Sequence, residues 1–143
     1  MRLFDKGMST PIVLDEKTDA AVRIAAADLQ GNLRRLSGKG DGFEILASAD
    51  GGAIRVHTEE GEGIEAYTIR VTRESVEIVG TDLLGTVYGI YAFATRCLGI
   101  VPVYRLIDIF PEAREEMELS EQVFTSAPRT VRFRGWFLND EDL

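Results

Sequence analysis

Two apolar patterns divide this chain, one with the spacing of a helix and one with the spacing of a strand. The helical spacing comes first, at intervals of four, three, four and three residues, over Val22, Ala26, Leu29, Leu33 and Leu36. It predicts an amphipathic helix. Thr18 or Asp19 is suited to cap its start, Arg34 and Arg35 suit its negative end, and Gly38 lies where the helix should stop.

The strand spacing appears in short runs of apolar or alternating residues that turns separate. The expected strands are Ile12–Leu14, Phe43–Ala47, Ala53–His57, Glu65–Thr72 and Val76–Val79. The fourth run alternates well, with Tyr67, Ile69 and Val71 on one face and polar residues on the other. Residues 73–75 predict a tight connection to the next strand. Glycine-rich and acidic stretches at 38–42, 51–52 and 59–63 predict turns.

A second helical pattern runs from about Asp82 to Leu98, with Thr81 as its expected cap and Gly99 as its stop. The expected buried face is formed by Leu84, Val87, Tyr88, Tyr91 and Leu98. Further apolar residues make this helix apolar nearly all round, which is typical of a helix packed between other elements. We therefore expect both helices to pack on the same face of a mixed sheet.

The stretch VGTDLLGTV at 79–87 follows a strand and opens the second helix, which is the setting of a phosphate-binding loop. In that motif a lysine follows the second glycine, whereas Thr86 follows Gly85 here. A nucleotide site is therefore not expected. Gly85 and Gly89 each lower helix propensity by roughly 1 kcal/mol relative to alanine. We interpret them as positions where a neighbouring element approaches the helix backbone closely.

After Pro102 the pattern loosens into an acidic stretch, EAREEMELSE at 112–121. We expect a solvated hinge there, with a short strand at Met117–Leu119. Pro128 then introduces a final strand at 131–138, which ends in the polar run Asn139-Asp140-Glu141-Asp142. A short acidic terminus is most often a solvated tail. The strand before it favours a functional interpretation, because residues at the carboxyl end of a barrel strand face an active site.

Composition limits the classes of partner. The chain has 143 residues, 45% of them hydrophobic and 28% charged, which suits one globular domain. Its formal charge of −8 argues against nucleic acid and anionic membrane, since both favour Lys/Arg patches. The apolar stretch 83–104 is long enough to cross a bilayer, but Arg96, Gly99 and Pro102 favour a buried helix. The start shows no secretory signal, so we expect a cytoplasmic protein.

Few side chains have candidate chemistry. Cys97 is the only cysteine and His57 the only histidine, which excludes an internal disulfide and a Cys/His zinc site. We expect no metal and no cofactor. Cys97 is interpreted as a small core hydrophobe and His57 as a solvated group. The tyrosines allow two interpretations, a platform that stacks sugars or, as favoured, ordinary core aromatics. They are Tyr67, Tyr88, Tyr91 and Tyr104.

Four stretches together resemble one family: AAVRIAAADLQGNLRRLSG at 20–38, EAYTIRV at 65–71, VEIVGTDLLGTVYGIYAFATRCLGIVPVY at 76–104 and RFRGWFLNDED at 132–142. They are similar to the N-terminal region of family-115 glycoside hydrolases, the xylan α-glucuronidases. The resemblance extends more distantly to the matching domain of family-67 α-glucuronidases and of β-N-acetylhexosaminidases. It implies an α+β domain over 1–127, a mixed β-sheet with two helices on one face. It also implies that 128–143 begin a (β/α)8 catalytic barrel.

The resemblance implies a non-catalytic N-terminal domain of a glycoside hydrolase that acts on polysaccharide side chains. Its partners would be its own catalytic barrel and, through that barrel, a carbohydrate. The catalytic carboxylates of such enzymes lie later in the barrel, so no residue here inherits that role. Asn139, Asp140 and Glu141 are the implied substrate-proximal residues.

Two other classes of function remain to be compared with this expectation. The first is a free-standing binding or adaptor domain of the same fold, without hydrolase activity. The second is an independent enzyme, for which the sequence offers no nucleophile–base pair, metal cluster or phosphate loop. If the final strand belongs to a barrel, the chain alone leaves it unpaired. We then expect self-association, because unpaired apolar strands pair with other chains.

Overall fold

The computed structural model describes residues 1–131, apart from the Arg105 side chain. In chain order these residues form β1 (Arg2–Phe4), β2 (Ile12–Leu14), α1 (Ala20–Ser37), β3 (Ile45–Leu46), β4 (Ile54–Thr58), β5 (Tyr67–Val71), β6 (Val76–Gly80), α2 (Leu83–Leu98), α3 (Tyr104–Ile107), β7 (Met117–Glu118) and β8 (Gln122–Thr125).

One mixed sheet takes up most of these strands, in the order β3-β2-β4-β6-β5-β8. The pairs β2–β3, β2–β4 and β4–β6 are parallel, whereas β5 is antiparallel to both β6 and β8. The tight connection between β5 and β6 is confirmed, since the Thr72 amide donates to the Ser75 carbonyl at 2.9 Å. β1 and β7 form a separate antiparallel pair. The predicted mixed sheet is therefore confirmed.

Both helices cover the same face of this sheet, as the sequence predicts. Alternate residues of the central strands point under the helices and are buried: Ile54, Val56, Tyr67, Ile69, Val71, Val76 and Ile78. α1 packs against α2 and over β2 and β3, and α2 packs over β4, β5 and β6. The opposite face carries charged side chains, among them Arg55, Arg70 and Glu77. The alternation in the strands thus separates a covered apolar face from an open polar one.

The first helix follows its predicted pattern closely. Asp19 rather than Thr18 caps it, and its carboxylate accepts a hydrogen bond from the Ala21 amide at 2.8 Å. Gly38 ends it in the left-handed conformation, with φ at 67°. That conformation favours glycine because it has no Cβ to clash with the backbone. Arg34 and Arg35 lie in the last turn, where cations stabilise the helix dipole.

The second helix differs from the prediction at its start. Asp82, not Thr81, is the cap, because its Oδ1 accepts from the Gly85 amide at 2.6 Å. The Thr81 hydroxyl instead donates to the Gly63 carbonyl at 2.8 Å. Thr81 therefore holds the loop around Gly63 in place and does not cap the helix.

The buried face of the second helix also differs from the prediction. Its buried residues are Gly85, Thr86, Gly89, Ile90, Phe93, Ala94 and Leu98. Of the expected buried face, Leu98 is therefore confirmed, and Val87 and Tyr88 are partly buried. Leu84 and Tyr91, which were expected on the buried face, are 44% and 42% exposed. The physical reason is the pair of glycines, which lets the helix approach the sheet most closely on their side. Apolar periodicity cannot indicate this, because glycine has no apolar side chain.

Several short elements were not predicted from the sequence. β1, α3 and β8 are four residues long or shorter, so they offer little periodicity to detect. β3 covers only Ile45–Leu46, fewer residues than the expected strand at 43–47. The expected strand at 131–138 extends beyond the described residues, so the domain boundary at 128 and the start of a barrel stay predictions. Among residues 1–131, no helix is long and apolar enough to cross a membrane.

Candidate functional site

The start of α2 is packed so closely that its glycines have no room for a side chain. A Cβ on Gly80 would lie 2.1 Å from the Thr86 amide nitrogen, and one on Gly85 would lie 2.3 Å from the Ala66 carbonyl oxygen. A Cβ on Gly89 would lie 2.8 Å from Ile78 Cγ2. The close-approach interpretation of Gly85 and Gly89 is therefore confirmed. We call Gly80, Gly85 and Gly89, with the side chains they contact, the glycine corner.

A phosphate at the glycine corner would have to accept hydrogen bonds from backbone amides and from the Thr86 hydroxyl. These donors are already bonded to Asp82. One carboxylate oxygen of Asp82 accepts a hydrogen bond from the Gly85 amide. The other accepts a hydrogen bond from the Glu65 amide at 2.8 Å. The Thr86 hydroxyl donates to the Asp82 carbonyl at 2.9 Å. It therefore accepts from the Thr58 hydroxyl, 2.7 Å away, because a hydroxyl has a single proton. The motif at 79–87 is thus a structural joint between β6, α2 and the loop before β5.

A groove on the other side of α2 brings all four tyrosines together. Its volume is about 820 Å³, within the size range of small-molecule sites. Tyr67 comes from β5, Tyr88 and Tyr91 from α2, and Tyr104 from α3. α1 contributes Asp28 and Asn32, while Thr95, Arg96 and Arg129 supply further polar groups. We call this the tyrosine groove.

Contacts with neighbouring side chains orient two of these rings. The Tyr91 hydroxyl donates to the Asp28 carboxylate at 2.8 Å, which joins α2 to α1 across the groove. The Tyr104 ring packs edge-to-face against Phe110, with the ring centroids 5.6 Å apart. The Arg35 guanidinium in turn lies 4.1 Å from the centre of the Phe110 ring, a favourable cation–π distance. The groove is therefore positioned by α1 as well as by α2.

Asn32 is a buried polar residue of the groove. It is 6% exposed, and its side-chain amide forms no hydrogen bond with any residue in 1–131. Within that range no fully enclosed side-chain nitrogen or oxygen lacks a partner, so the side-chain amide of Asn32 keeps some access to solvent, and Asn32 lines the groove. It presents both a donor and an acceptor there.

The open face of the sheet holds the histidine that the sequence singled out. His57 Nε2 lies 3.2 Å from Glu59 Oε1, and both side chains are exposed. Arg70 and Glu77 pair at 3.3 Å beside them. These residues line a second pocket, of about 540 Å³. The interpretation of His57 as a solvated, locally bonded group is confirmed.

Cys97 lies on α2, away from the helix start. Burial raises the pKa of its thiol to about 11, so the group is protonated at neutral pH and is a poor nucleophile. This agrees with its interpretation as a small hydrophobe. In the part of the chain that the structure describes, no cluster of three His, Cys, Asp or Glu residues could hold a metal ion.

The structure does not test the substrate-proximal residues expected from the sequence. Asn139, Asp140 and Glu141 lie outside the described residues. Conversely, sequence reasoning did not single out Asp28 or Asn32. The burial of Asn32 could have been predicted, because Asn32 follows Leu29 by three residues and so lies beside the predicted buried stripe of α1.

No family model matches the sequence, and no curated protein is similar to it at a significant level. Among solved structures, one similar chain is a family GH115 4-O-methyl-α-glucuronidase with specificity for decorated arabinogalactans. It aligns with a TM-score of 0.73 and 22% identity over 87% of this chain. The resemblance seen in the sequence is confirmed at the level of the fold.

A second similar structure is the GH20 β-N-acetylhexosaminidase from Streptomyces coelicolor A3(2). It aligns with a TM-score of 0.53 and 25% identity over 66% of this chain. In both comparisons this chain spans 18% of the length of the other protein. The fold thus matches a small part of each of two glycoside hydrolases.

Proposed function

We propose that this chain is a non-catalytic accessory domain of an α-glucuronidase-like glycoside hydrolase that acts on polysaccharide side chains. The fold shared with a GH115 enzyme, at a TM-score of 0.73 over 87% of the chain, is the observation that carries the proposal. The sequence resemblance leads independently to the same family. Two lines of reasoning, one from motifs and one from backbone geometry, therefore agree.

The proposed partner is a (β/α)8 barrel in the same protein, which would supply the catalytic residues and the carbohydrate site. Residues 128–143 would form the start of that barrel. Asn139, Asp140 and Glu141 would then lie at the end of its first strand, the position at which barrel enzymes face their substrates.

The roles of three of the described carboxylates support a non-catalytic domain. Hydrolysis of a glycosidic bond uses two carboxyl groups on either side of the bond, one of them a proton donor. Here Asp82 caps a helix, Asp28 accepts from Tyr91, and Glu77 pairs with Arg70. Each of these contacts holds two elements of the domain together.

The sequence of the gene beyond Leu143 tests this proposal. The proposal predicts about 250 further residues of alternating strand and helix pattern, which is the size of a barrel. Expression of the longer product should then give a protein in which this domain and the barrel purify as one folded unit. A stop codon directly after Leu143 would contradict the proposal and favour a free-standing binding domain.

A further inference from the structure

We propose that the tyrosine groove is a binding site for a pyranose-containing oligosaccharide. The convergence of all four tyrosines of the chain on one groove is the first observation. From the sequence alone, ordinary core aromatics were the favoured interpretation. That interpretation is confirmed for Tyr67, which is 8% exposed, and for Tyr88 and Tyr104, which pack against the core, whereas Tyr91 is 42% exposed. All four side chains also line the groove, although they belong to three different elements.

The chemistry of the lining matches the chemistry of a sugar ring. A pyranose has one or two faces of C–H groups, which stack on aromatic rings, and a rim of hydroxyls that donate and accept hydrogen bonds. The groove supplies aromatic rings, of which Tyr91 is the most exposed, at 42%. The Thr95 hydroxyl donates to the Tyr91 carbonyl at 3.0 Å and can still accept a hydrogen bond. Its volume of about 820 Å³ is large enough for more than one sugar ring.

Asn32 provides a second and independent observation. Burial of a polar group is unfavourable unless the group is hydrogen-bonded, and the Asn32 residue is only 6% exposed. Its side-chain amide forms no hydrogen bond with residues 1–131, and Asn32 lines the groove. A ligand hydroxyl would satisfy both its donor and its acceptor, which leucine or alanine at this position could not do.

The groove is oriented before any ligand arrives. Tyr91 is held by its bond of 2.8 Å to Asp28, and the Tyr104 ring is held by Phe110. A site with fixed rings loses less conformational entropy on binding than a site that must order them. This inference goes beyond the proposed function, because the domain could bind a sugar with or without a catalytic barrel.

Titration of the ¹⁵N-labelled 143-residue chain with oligosaccharides, followed by NMR, tests this inference. One series uses neutral xylo-oligosaccharides and the other uses xylo-oligosaccharides that carry a uronic acid. We expect saturable shifts at the amides of residues 28–32 and 88–104 in at least one series. Stronger binding in the acidic series would indicate a contact with Arg96 or Arg129, and stronger binding in the neutral series would assign recognition to the rings and Asn32.

Substitutions separate sugar binding from general stability. Tyr91→Ala should weaken binding by about tenfold, while Tyr91→Phe, which keeps the ring, should stay within about threefold. Asn32→Leu should also weaken binding by about tenfold, because it removes the donor and the acceptor. Leu84→Ala is the matched control, since Leu84 lies on the same helix, is similarly exposed at 44%, and lies outside the groove.

Two results would overturn the inference. One is the absence of saturable shifts in both series at millimolar ligand, from a sample whose spectrum shows a folded domain. The other is binding that Tyr91→Ala, Asn32→Leu and Leu84→Ala leave equally unchanged. Neither result would affect the proposed accessory role, which depends on the gene beyond Leu143.

Discussion

The two sides of α2 differ in how closely they are packed. On the glycine corner side the helix leaves no room for a Cβ at Gly85 or Gly89, and the Asp82 carboxylate and the Thr86 hydroxyl bond to the loop before β5 and to β4. On the groove side it carries Tyr88 and Tyr91 beside an open volume of about 820 Å³. The first side fixes the position of the helix on the sheet, and the second lines the groove for which we propose sugar binding. Substitutions should therefore reduce stability on the first side and binding on the second.

Gly85→Ala should have the largest effect on stability. Its Cβ would lie 2.3 Å from the Ala66 carbonyl oxygen, and that backbone cannot turn away as a side chain could. We expect a loss of about 3 kcal/mol in the free energy of unfolding, at the upper end of overpacking effects. Urea denaturation measures the change. A denaturation midpoint equal to or above that of the unsubstituted chain would contradict the close packing described for the glycine corner.

Gly89→Leu tests the same side of the helix one turn later. The leucine would meet Ile78 and Tyr67, which lie 2.8 and 3.2 Å from the position of a Cβ. We expect a destabilisation of about 1–3 kcal/mol, again measured by urea denaturation. If Gly89 faced water, leucine would instead stabilise the helix, because leucine has a higher helix propensity than glycine.

Asp82→Ala removes the cap that joins α2 to the loop before β5. The substitution leaves the Gly85 and Glu65 amides without their acceptor, and we expect a loss of about 1–2 kcal/mol. Asp82→Asn is the control, since its amide oxygen can still accept one of the two bonds. Equal denaturation midpoints for the alanine and asparagine variants would argue against a capping role.

Gly31→Ala should have the smallest effect, and the opposite sign. Gly31 lies on the exposed side of α1, and a Cβ there meets no atom within 4 Å. Alanine should therefore stabilise the chain by about 0.5–1 kcal/mol through helix propensity alone. Because Gly31 and Gly85 undergo the same substitution within helices, opposite shifts of their midpoints would show that packing decides the sign. A loss of stability in both variants would contradict this explanation.

The sequence predicts α1, α2 and most of the sheet, but it does not predict the tyrosine groove. α1 is predictable from end to end because its apolar stripe, its two candidate caps, Thr18 and Asp19, and its stop at Gly38 all agree. The buried face of α2 is not predictable from periodicity, because Gly85 and Gly89 carry no apolar signal. The groove is harder still, since Tyr67, Tyr91 and Tyr104 lie on separate elements that only tertiary packing brings together.

The short edge strand β8 shows a different limit of prediction from sequence. β8 has a weak alternation, with Phe124 turned towards the core side and Val123 58% exposed. An edge strand of four residues depends on its partner β5 rather than on its own pattern. Such strands are recognisable only after the sheet beside them is known.

The most direct test of an accessory role is a turnover assay on the purified chain. The substrates are glucuronoxylan and an aryl α-glucuronide, and the comparison is the longer gene product that includes the sequence after Leu143. A sample purified identically from cells without the gene measures contaminating hydrolase. We predict turnover by the longer product and none above the control by the 143-residue chain, because no working pair of carboxylates is assigned to the chain. Turnover by the chain above the control that falls in Asp28→Asn would contradict the account and place a catalytic centre within this domain.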